Sequence, residues 1–487
     1  MSEASRNTTE IKDAGSFDAL IVGGGGAGIM AALFAARGGA RMALVERAER
    51  LGGCLLVANG QMSAAGTRLQ REQGIADSAD LHFEDVMRIS RGTADPALVR
   101  LAVENAATTF DWLCDQGFTV EPGHPVLGNS HEPYSRPRYY WSRERGHAVL
   151  ACLEPLLAQQ VGRGAISLWC ETGIDALRFD AAGRVSGALG RDAQGERLGW
   201  SAPRVVLATG GYSANAALYE KISGVPQHCA MAYPHAQGIG HEIAVQAGGY
   251  LRGIENLFTN FGFPLERLDV PSRPVARVVT DPALRVPWEI YVNAAGARFV
   301  REDDASVDSR EQALLRQPGH RYWIVFDQAM LERAEPILSG WSREAIAAQF
   351  AKGHPSFHKA GSLAELARVA GIDAQGLRAS VAAYNAGVES GEDALGRRHL
   401  PAPIAQGPFY AIRQQGCTIS SAAGLAVDID LQVLREDGSA IEGLHAIGEI
   451  LGAGQTMGKA ACGGMMITPA LTFGRLLGER IARERRA

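Results

Sequence analysis

Three glycines near the N-terminus have the spacing of a turn that binds phosphate. Gly23, Gly25 and Gly28 form a GxGxxG pattern within the run GGGGAG. In such a turn the first glycine permits a tight bend, the second lets the backbone approach a pyrophosphate, and the third lets the next helix pack closely on the preceding strand. The free N–H groups at the start of that helix stabilise phosphate charge. Glu46, further along, is placed to accept hydrogen bonds from ribose hydroxyls. Together these residues predict a dinucleotide site.

The elements that must position this turn are present on both sides of it. Residues 17–22 are an apolar run typical of a buried strand, residues 29–37 predict an alanine-rich helix, and residues 42–45 predict a second strand that ends at Glu46. Two later strand–glycine segments, at 205–211 and 443–449, offer contacts to a long cofactor, which favours FAD over a nicotinamide. The predicted FAD-binding residues are Gly23, Gly25, Gly26, Ala27, Gly28, Glu46, Arg47, Gly53, Cys54, Ala208, Thr209, Gly210, Gly448, Glu449, Met465, Met466 and Ile467.

Composition narrows the class of protein. The chain has 487 residues, of which 46% are hydrophobic, and a formal net charge of -5. It therefore lacks the basic balance typical of proteins that bind nucleic acid or an anionic membrane. No run approaches the ~20 apolar residues of a membrane span. The seven cysteines include no CxxC pair, which argues against an iron–sulfur, c-type haem or zinc site. We expect a cytoplasmic protein without a metal, because scattered cysteines fit a reducing compartment.

Longer segments resemble the FAD-dependent fumarate reductase and succinate dehydrogenase flavoprotein family. The resemblance runs from about residue 17 to the C-terminus, and it is carried by ADPALVRLAVENAATTFDWL at 94–113, VNAAGARFV at 292–300, GPFYAI at 407–412 and TPALTFGRLLG at 468–478. Soluble fumarate reductases are the most similar branch, with 3-ketosteroid and tricarballylate dehydrogenases as relatives.

The resemblance implies an α/β fold in which a Rossmann-like FAD-binding domain is interrupted by an α+β capping domain. On this basis residues 17–253 and 406–487 are expected to form the two parts of the FAD-binding domain, and residues 254–405 the cap. The polar residues 1–16 are expected to form a disordered tail.

The resemblance also implies a reaction. The family exchanges a hydride between flavin N5 and one carbon of a C–C bond, and a protein group exchanges a proton at the adjacent carbon. The matching proton group is Arg298, the arginine of the GxRF motif at 296–299. Arginine normally keeps its proton, so it needs a relay, and Asp281 and Arg285 occupy the relay positions. The segment 51–56 carries no histidine after its Gly-Gly turn, so the FAD is expected to be non-covalent.

The substrate contacts depart from the family pattern. Positions that carry histidines in fumarate reductases match neutral side chains here, and the position of a substrate arginine matches an alanine next to the C-terminal Gly pair. A dicarboxylate needs charge-assisted donors to replace its hydration, so a simple dicarboxylate is not the expected substrate. A C–C bond conjugated to one carbonyl or carboxylate fits better. The predicted substrate-binding residues are Asn260, Ser420, Ser421, Tyr140, Lys459, Gly463 and Gly464.

Several functional hypotheses stay open. The leading one is an FAD-dependent ene-reductase or desaturase with Arg298 as its proton group. The alternatives are a 3-ketosteroid-type or tricarballylate-type dehydrogenase, a fumarate reductase proper, and a non-catalytic flavin-binding protein that serves electron transfer. We expect a small unsaturated carbonyl or carboxylate compound as substrate, an unknown diffusible electron donor or acceptor, and neither nucleic acid nor membrane as a partner.

Overall fold

The computed structural model describes residues 11–128 and 132–485. Its strands are β1 Lys12–Ser16, β2 Ala19–Val22, β3 Met42–Val45, β4 Met62–Ser63, β5 Tyr139–Tyr140, β6 Ile166–Trp169, β7 Gly173–Phe179, β8 Val185–Arg191, β9 Arg197–Ser201, β10 Val205–Leu207, β11 Leu251–Arg252, β12 Ile290–Val292, β13 Arg321–Asp327, β14 Phe357–Ala360, β15 Phe409–Gln415, β16 Gly424–Leu425, β17 Gln432–Leu434 and β18 Ala440–Ala446.

Its helices are α1 Gly26–Arg37, α2 Arg68–Glu72, α3 Ala79–Ile89, α4 Pro96–Asp115, α5 Gly146–Gly162, α6 Ala216–Ser223, α7 Ile239–Gln246, α8 Val307–Leu315, α9 Gln328–Arg333, α10 Arg343–Ala351, α11 Leu363–Ala370, α12 Ala374–Ser390, α13 Ala453–Thr456 and α14 Ile467–Glu484.

A six-stranded sheet forms the centre of the larger domain. Its strand order is β17-β18-β10-β2-β3-β6, and all neighbours pair in parallel except β17, which is antiparallel to β18. Strands β2 and β3 are fully buried runs of aliphatic residues, as expected for a parallel sheet covered on both faces. Helix α1 packs between this sheet and α14. A Cβ on Gly474 or Gly478 of α14 would lie 2.4 or 2.5 Å from a backbone oxygen of α1, so these glycines permit the close approach of the two helices.

A second sheet of the larger domain corrects the predicted N-terminal tail. Its strand order is β1-β9-β8-β7, and β1 pairs in parallel with β9. Residues 12–16 therefore form a strand, although the tail was predicted to extend to residue 16; residues 1–10 lie outside the described part of the chain. Edge pairing compensates for the polar composition of β1, because its backbone groups bond to β9 whatever its side chains are.

The cap has its own sheet and its own core. Strands β12-β13-β15-β14 form an antiparallel sheet, and helices α8 to α12 pack around a separate cluster of buried apolar side chains. The cap extends past the predicted boundary at residue 405, because β15 at 409–415 is one of its strands. Pairing along the whole of β13 and β15 fixes this strand to the cap. Within the described residues, no helix is both long and apolar enough to cross a membrane.

Candidate active site

A large cavity lies between the two domains. Its volume is about 1990 Å³. One side is lined by residues that follow the carboxyl ends of the parallel strands β2, β3, β6, β10 and β18, the usual location of ligands in such sheets: Gly23, Glu46, Thr172, Ala208 and Gly448. The opposite side is lined by cap residues that include Asn260, Phe261, Asp281, Arg310 and Glu311.

The glycine turn after β2 fits a pyrophosphate. Gly23 has φ +110°, and a Cβ there would lie 2.3 Å from the carbonyl oxygen of Ala208, so a side chain is excluded at this bend. A Cβ on Gly25 would meet no protein atom within 4 Å; because Gly25 lines the cavity, that Cβ would occupy the space left for a ligand. Gly25 is also the N-cap of α1 and supplies no side-chain hydrogen bond, so the first N–H groups of the helix can bind phosphate.

Glu46 is held rigidly at the end of β3. Its side chain accepts a hydrogen bond from the Gly24 N–H at 2.6 Å and another from the Ala48 N–H at 2.8 Å. The residue is buried and lines the cavity. A carboxylate fixed by two backbone donors keeps further lone pairs for ribose hydroxyls.

The cavity collects the predicted FAD-binding residues, with two exceptions. Gly28 does not line the cavity; a Cβ there would lie 2.0 Å from the Gly23 carbonyl oxygen, so it acts through helix–strand packing. Met465 is fully buried away from the cavity, whereas its neighbours Met466 and Ile467 line it. The cradle of glycines, the uncapped helix N-terminus and the fixed Glu46 fit FAD.

Cys54 and Glu449 form a pair on the cofactor side that the sequence did not predict. The Cys54 thiol donates to the Glu449 carboxylate, with Sγ and Oε2 3.1 Å apart. Burial raises the pKa of Glu449, and burial together with Glu449 raises the pKa of the Cys54 thiol well above its usual value. The two residues are close in space but 395 positions apart in the chain, so only tertiary structure reveals the pair.

Arg298 does not reach the cavity, which corrects the leading expectation for the proton group. Its Nε and Nη2 bond to both oxygens of Glu302, at 2.8 and 2.6 Å, and its Nη1 bonds to Asp393. The Arg298 side chain is 6% exposed. Although burial lowers it, the pKa of Arg298 is raised overall because hydrogen bonds to Glu302 and Asp393 favour the charged form. This geometry assigns Arg298 to the ion-pair network of the cap.

The predicted relay residues are separated in the same way. Asp281 lines the cavity, where its carboxylate accepts from the Ala283 N–H at 3.0 Å. Arg285 lies outside the cavity lining, and its guanidinium bonds to both oxygens of Glu289 at 2.7 and 3.0 Å. The structure therefore does not bring Arg298, Asp281 and Arg285 together at one reacting centre.

The predicted substrate-binding residues divide into two groups. Those that line the cavity are Asn260, Ser420, Gly463 and Gly464. Those that do not are Tyr140, Ser421 and Lys459. The Ser421 hydroxyl accepts from the Tyr212 N–H at 2.7 Å. The Lys459 N–H donates to the Thr93 hydroxyl at 2.9 Å, and its carbonyl accepts from Gln312.

Tyr139 takes the place expected for Tyr140. The Tyr140 hydroxyl is 2.8 Å from the Thr67 hydroxyl, inside the FAD-binding domain. Successive side chains of a strand point to opposite faces, so Tyr139 faces the cavity. A Cβ on Gly463 would lie 2.9 Å from the Tyr139 ring, so the glycine makes room for the ring. The Tyr139 hydroxyl is buried and has no hydrogen-bond partner in the described residues.

The cap supplies charged groups that the sequence reading missed. Helix α8 begins after Ser306, whose hydroxyl accepts from the Ser309 N–H. Val307, Arg310 and Glu311 of this helix line the cavity, and their spacing puts them on one helix face. The sequence did contain a signal for this helix face, namely the i, i+3, i+4 spacing of the three residues directly after a serine that can cap a helix.

Arg310 is a buried cation that lines the cavity. Its side chain is 1% exposed, and its guanidinium carbon lies 5.4 Å from the centre of the Phe261 ring. One Nη donates to the Thr280 carbonyl, whereas Nε has no hydrogen-bond partner among the described residues. Within those residues, no carboxylate oxygen lies within 4.0 Å of the guanidinium.

Glu311 is a buried acid beside Arg310. Burial raises its pKa well above the usual value, and Asp308 adds to the effect, whereas Arg310 opposes it. Desolvation favours the neutral form of a carboxyl group. The cavity therefore carries a buried cation and, next to it, a carboxyl group whose pKa is raised by burial.

The fold and the cavity define a flavoprotein with a capped redox site. A family model described as "FAD binding domain" matches residues 18–465. The chain is 30% identical over 470 residues to a fumarate reductase (cytochrome) from Shewanella frigidimarina, with 96% of this chain and 77% of that protein covered. It is 27% identical over 486 residues to a urocanate reductase from Eggerthella lenta, with 96% of this chain and 74% of that protein covered.

The fold of this chain is similar to that of a solved structure. The 3-ketosteroid Δ1-dehydrogenase from Sterolibacterium denitrificans superposes with a TM-score of 0.73 at 21% identity, over 96% of this chain and 100% of that chain. The chain belongs to the fumarate reductase family of FAD-dependent flavoproteins. It is an oxidoreductase of the class that acts on CH–CH groups, and its cofactor is FAD. The predicted family, fold class, enzyme class and cofactor are confirmed.

Proposed function

We propose that this protein reduces, or in reverse forms, a C–C double bond conjugated to a single carboxylate or carbonyl group. The observation that carries the proposal is Arg310, a buried guanidinium that lines the cavity without a carboxylate partner. When bound, FAD supplies or accepts the hydride. The chain's own residues bind the substrate, hold its activating oxygen, exchange a proton and exclude water.

Arg310 is assigned to the activating oxygen. Leaving a buried charge without a partner is unfavourable, and a substrate carboxylate compensates it through charge-assisted hydrogen bonds. The bond to Thr280 fixes one edge of the guanidinium, so Nε and the remaining N–H groups are left for the substrate. Negative charge that develops on the conjugated oxygen during hydride transfer is stabilised by the same donors.

Glu311 is assigned to the proton. In the reducing direction the carbon next to the hydride-accepting carbon needs an acid, and the raised pKa of Glu311 favours its protonated form. It lies on the same helix face as Arg310, so α8 presents the oxygen-binding group and the acid together. Asp281, which is less buried and also lines the cavity, is placed to exchange protons with solvent.

A monoanionic substrate follows from the charges of the cavity. Arg310 is a buried cation that lines it, whereas Arg273 and Arg277, which also line it, are exposed at the surface. One carboxylate can therefore be fully desolvated against Arg310, while a second would rely on exposed partners. Urocanate, from which the urocanate reductase of Eggerthella lenta takes its name, is an unsaturated monocarboxylate of this class. The electron donor or acceptor is proposed to be diffusible.

The test uses the FAD-loaded protein and matched arginine variants. Arg310→Met is expected to lower kcat/KM for urocanate or cinnamate by at least about 100-fold, equivalent to about 2.7 kcal/mol of transition-state stabilisation. Arg378→Met, which removes an exposed arginine of α12, is the control and should retain full activity. Wild-type activity in Arg310→Met with normal FAD content would show that Arg310 does not hold the substrate.

Glu311→Gln tests the proton assignment separately. The variant should keep KM and FAD content but lose kcat, because an amide occupies the same space without a transferable proton. Full kcat in Glu311→Gln removes Glu311 from the mechanism and leaves the Arg310 assignment standing.

A second function is favoured by Tyr139. Its hydroxyl is buried without a partner beside the cavity, and a neutral phenol can donate to a ketone oxygen. This observation supports a dehydrogenase or reductase that acts on neutral cyclic enones. Tyr139→Phe should abolish turnover of such an enone if this is the function, and it should leave urocanate or cinnamate turnover largely intact if the first proposal holds.

A further inference from the structure

Two arginines and three histidines collect at one face of the cap sheet, outside the cavity lining. Arg321 of β13 and Arg413 of β15 are diagonal neighbours, since Arg321 pairs with Gln415 and Arg413 with Trp323. His358 of β14 pairs with Ala411, which puts it on the same face. His228 and His320 lie on flanking segments with ring centres 6.4 Å apart. We call these five residues, His228, His320, Arg321, His358 and Arg413, the cationic cluster.

Among the described residues, no ion pair joins the cationic cluster to a carboxylate. Nε of Arg321, Nε of Arg413 and Nδ1 of His228 are buried and have no hydrogen-bond partner among the described residues. In the same part of the chain, no carboxylate oxygen lies within 4.0 Å of either guanidinium. The carboxylate of Glu266 acts on His354, a neighbour of His358 that does not belong to the cluster.

The two arginines of the cluster repel each other and oppose protonation of the neighbouring histidines. Burial lowers the pKa of Arg413, and Arg321 lowers it further. Burial, then His320 and both arginines, lower the pKa of His228 to about 4, and Arg413 acts in the same direction on His358. Buried donors without acceptors and like charges in proximity both destabilise a fold. A bound anion would relieve both effects at once.

We propose that the cationic cluster binds a phosphoryl group, either inorganic phosphate or the phosphate of a phosphorylated small molecule. Two guanidinium forks and three imidazoles offer more donors than the two oxygens of one carboxylate can accept, whereas a phosphoryl group offers three or four oxygens and up to two charges. The members are half-buried, so they are partly shielded from water and still accessible to a small anion.

This site adjoins the active-site cavity without entering it. His228 precedes Ala230, which lines the cavity. Gln415, the partner of Arg321 in the sheet, exchanges backbone hydrogen bonds with Phe263, which also lines the cavity. A phosphoryl group in the cluster therefore contacts segments that lead into the cavity wall, and its binding is separable from that of FAD and substrate.

Calorimetric titration of the FAD-saturated protein tests the proposal, with inorganic phosphate and ADP as probes. Saturable binding is expected in the wild type and in Arg378→Met, the matched exposed arginine of the cap. Arg413→Met and Arg321→Met should bind at least tenfold more weakly. In phosphate-free buffer the melting temperature of either variant should equal or exceed that of the wild type, because a repelling charge has been removed.

The two probes also distinguish the source of the phosphoryl group. Equal affinity for both assigns the site to inorganic phosphate, and tighter binding of ADP assigns it to a phosphorylated molecule. The proposal is overturned if neither probe saturates the wild type, or if Arg413→Met and Arg321→Met bind as tightly as Arg378→Met. A melting temperature that drops in phosphate-free buffer would also contradict it, because it would mean that the arginines stabilise the cap without a ligand.

Discussion

Replacement of Arg298 by methionine separates a structural role from a catalytic one. The side chains of Arg298, Glu302 and Asp393 are 6%, 0% and 1% exposed, so the substitution leaves two buried carboxylates without their main partner. Removing one member of a buried ion pair typically costs about 3–5 kcal/mol. Arg397 remains 3.5 Å from Glu302 and limits the loss there, so we expect about 3 kcal/mol.

The pH dependence of this loss has a definite sign. Although burial raises it, the pKa of Asp393 is lowered overall by Arg298. The stability it contributes is present above the unfolded pKa and is lost as pH falls through the folded pKa. The difference between wild type and Arg298→Met should therefore be largest at neutral pH and shrink in acid.

Two assays on one preparation decide whether Arg298 has a structural or a catalytic role. Urea unfolding at neutral pH should show the lower stability of Arg298→Met, and turnover per bound FAD should stay within a few-fold of the wild type. The reasoning is refuted if the unfolding midpoint is unchanged while turnover per FAD falls by two orders of magnitude, because Arg298 would then be the proton group that the sequence motif suggested.

Three further predictions concern the cofactor turn, the acid and a buried histidine. Gly25→Val should lose FAD without strain at that residue, because Gly25 has φ -74° and ψ 178° and the new side chain only fills the ligand space; a normal ratio of flavin to protein absorbance would contradict this. The reduction rate of the wild type should fall as pH rises through the raised pKa of Glu311, and the Glu311→Gln variant should lack that step in its pH–rate profile. Burial lowers the pKa of His241 to about 4, so the folded form takes up this proton at a lower pH than the unfolded form. The free energy of unfolding should therefore fall as pH drops from about 6.5 towards 4, by roughly 2 kcal/mol at about pH 5. His241→Phe should reduce that slope in urea titrations, and an unchanged slope would assign the acid sensitivity to other groups.

The features that could be predicted from sequence are those with local causes. The turn at Gly23 and Gly25 requires a bend and an open backbone, and both requirements act over a few residues. The strand ending at Glu46 was likewise predicted from its run of apolar residues. The family resemblance then implied a cap, although not that β15 belongs to it, because strand pairing with β13 is a long-range property.

The site could not be read in the same way, because motif position does not determine what a side chain meets. Arg298 lies within the GxRF motif, yet its side chain binds Asp393, which is 95 positions away in the chain. That contact holds the guanidinium outside the cavity lining. Tyr139 and Tyr140 are equivalent by composition, and only pairing of β5 with β4 decides which ring faces the ligand. Arg310 carries no motif and becomes visible once α8 is placed against the cavity.

The most direct test of the account is anaerobic reoxidation of the reduced flavin. The FAD-loaded protein, reduced with just enough dithionite, is mixed in a stopped-flow spectrometer with urocanate or cinnamate, with fumarate and with 2-cyclohexenone, and the flavin band is followed. The account predicts rapid reoxidation by a monoanionic unsaturated acid and a loss of at least about 100-fold in Arg310→Met. Rapid reoxidation by fumarate or cyclohexenone alone, or an Arg310→Met variant as fast as the wild type, would contradict it.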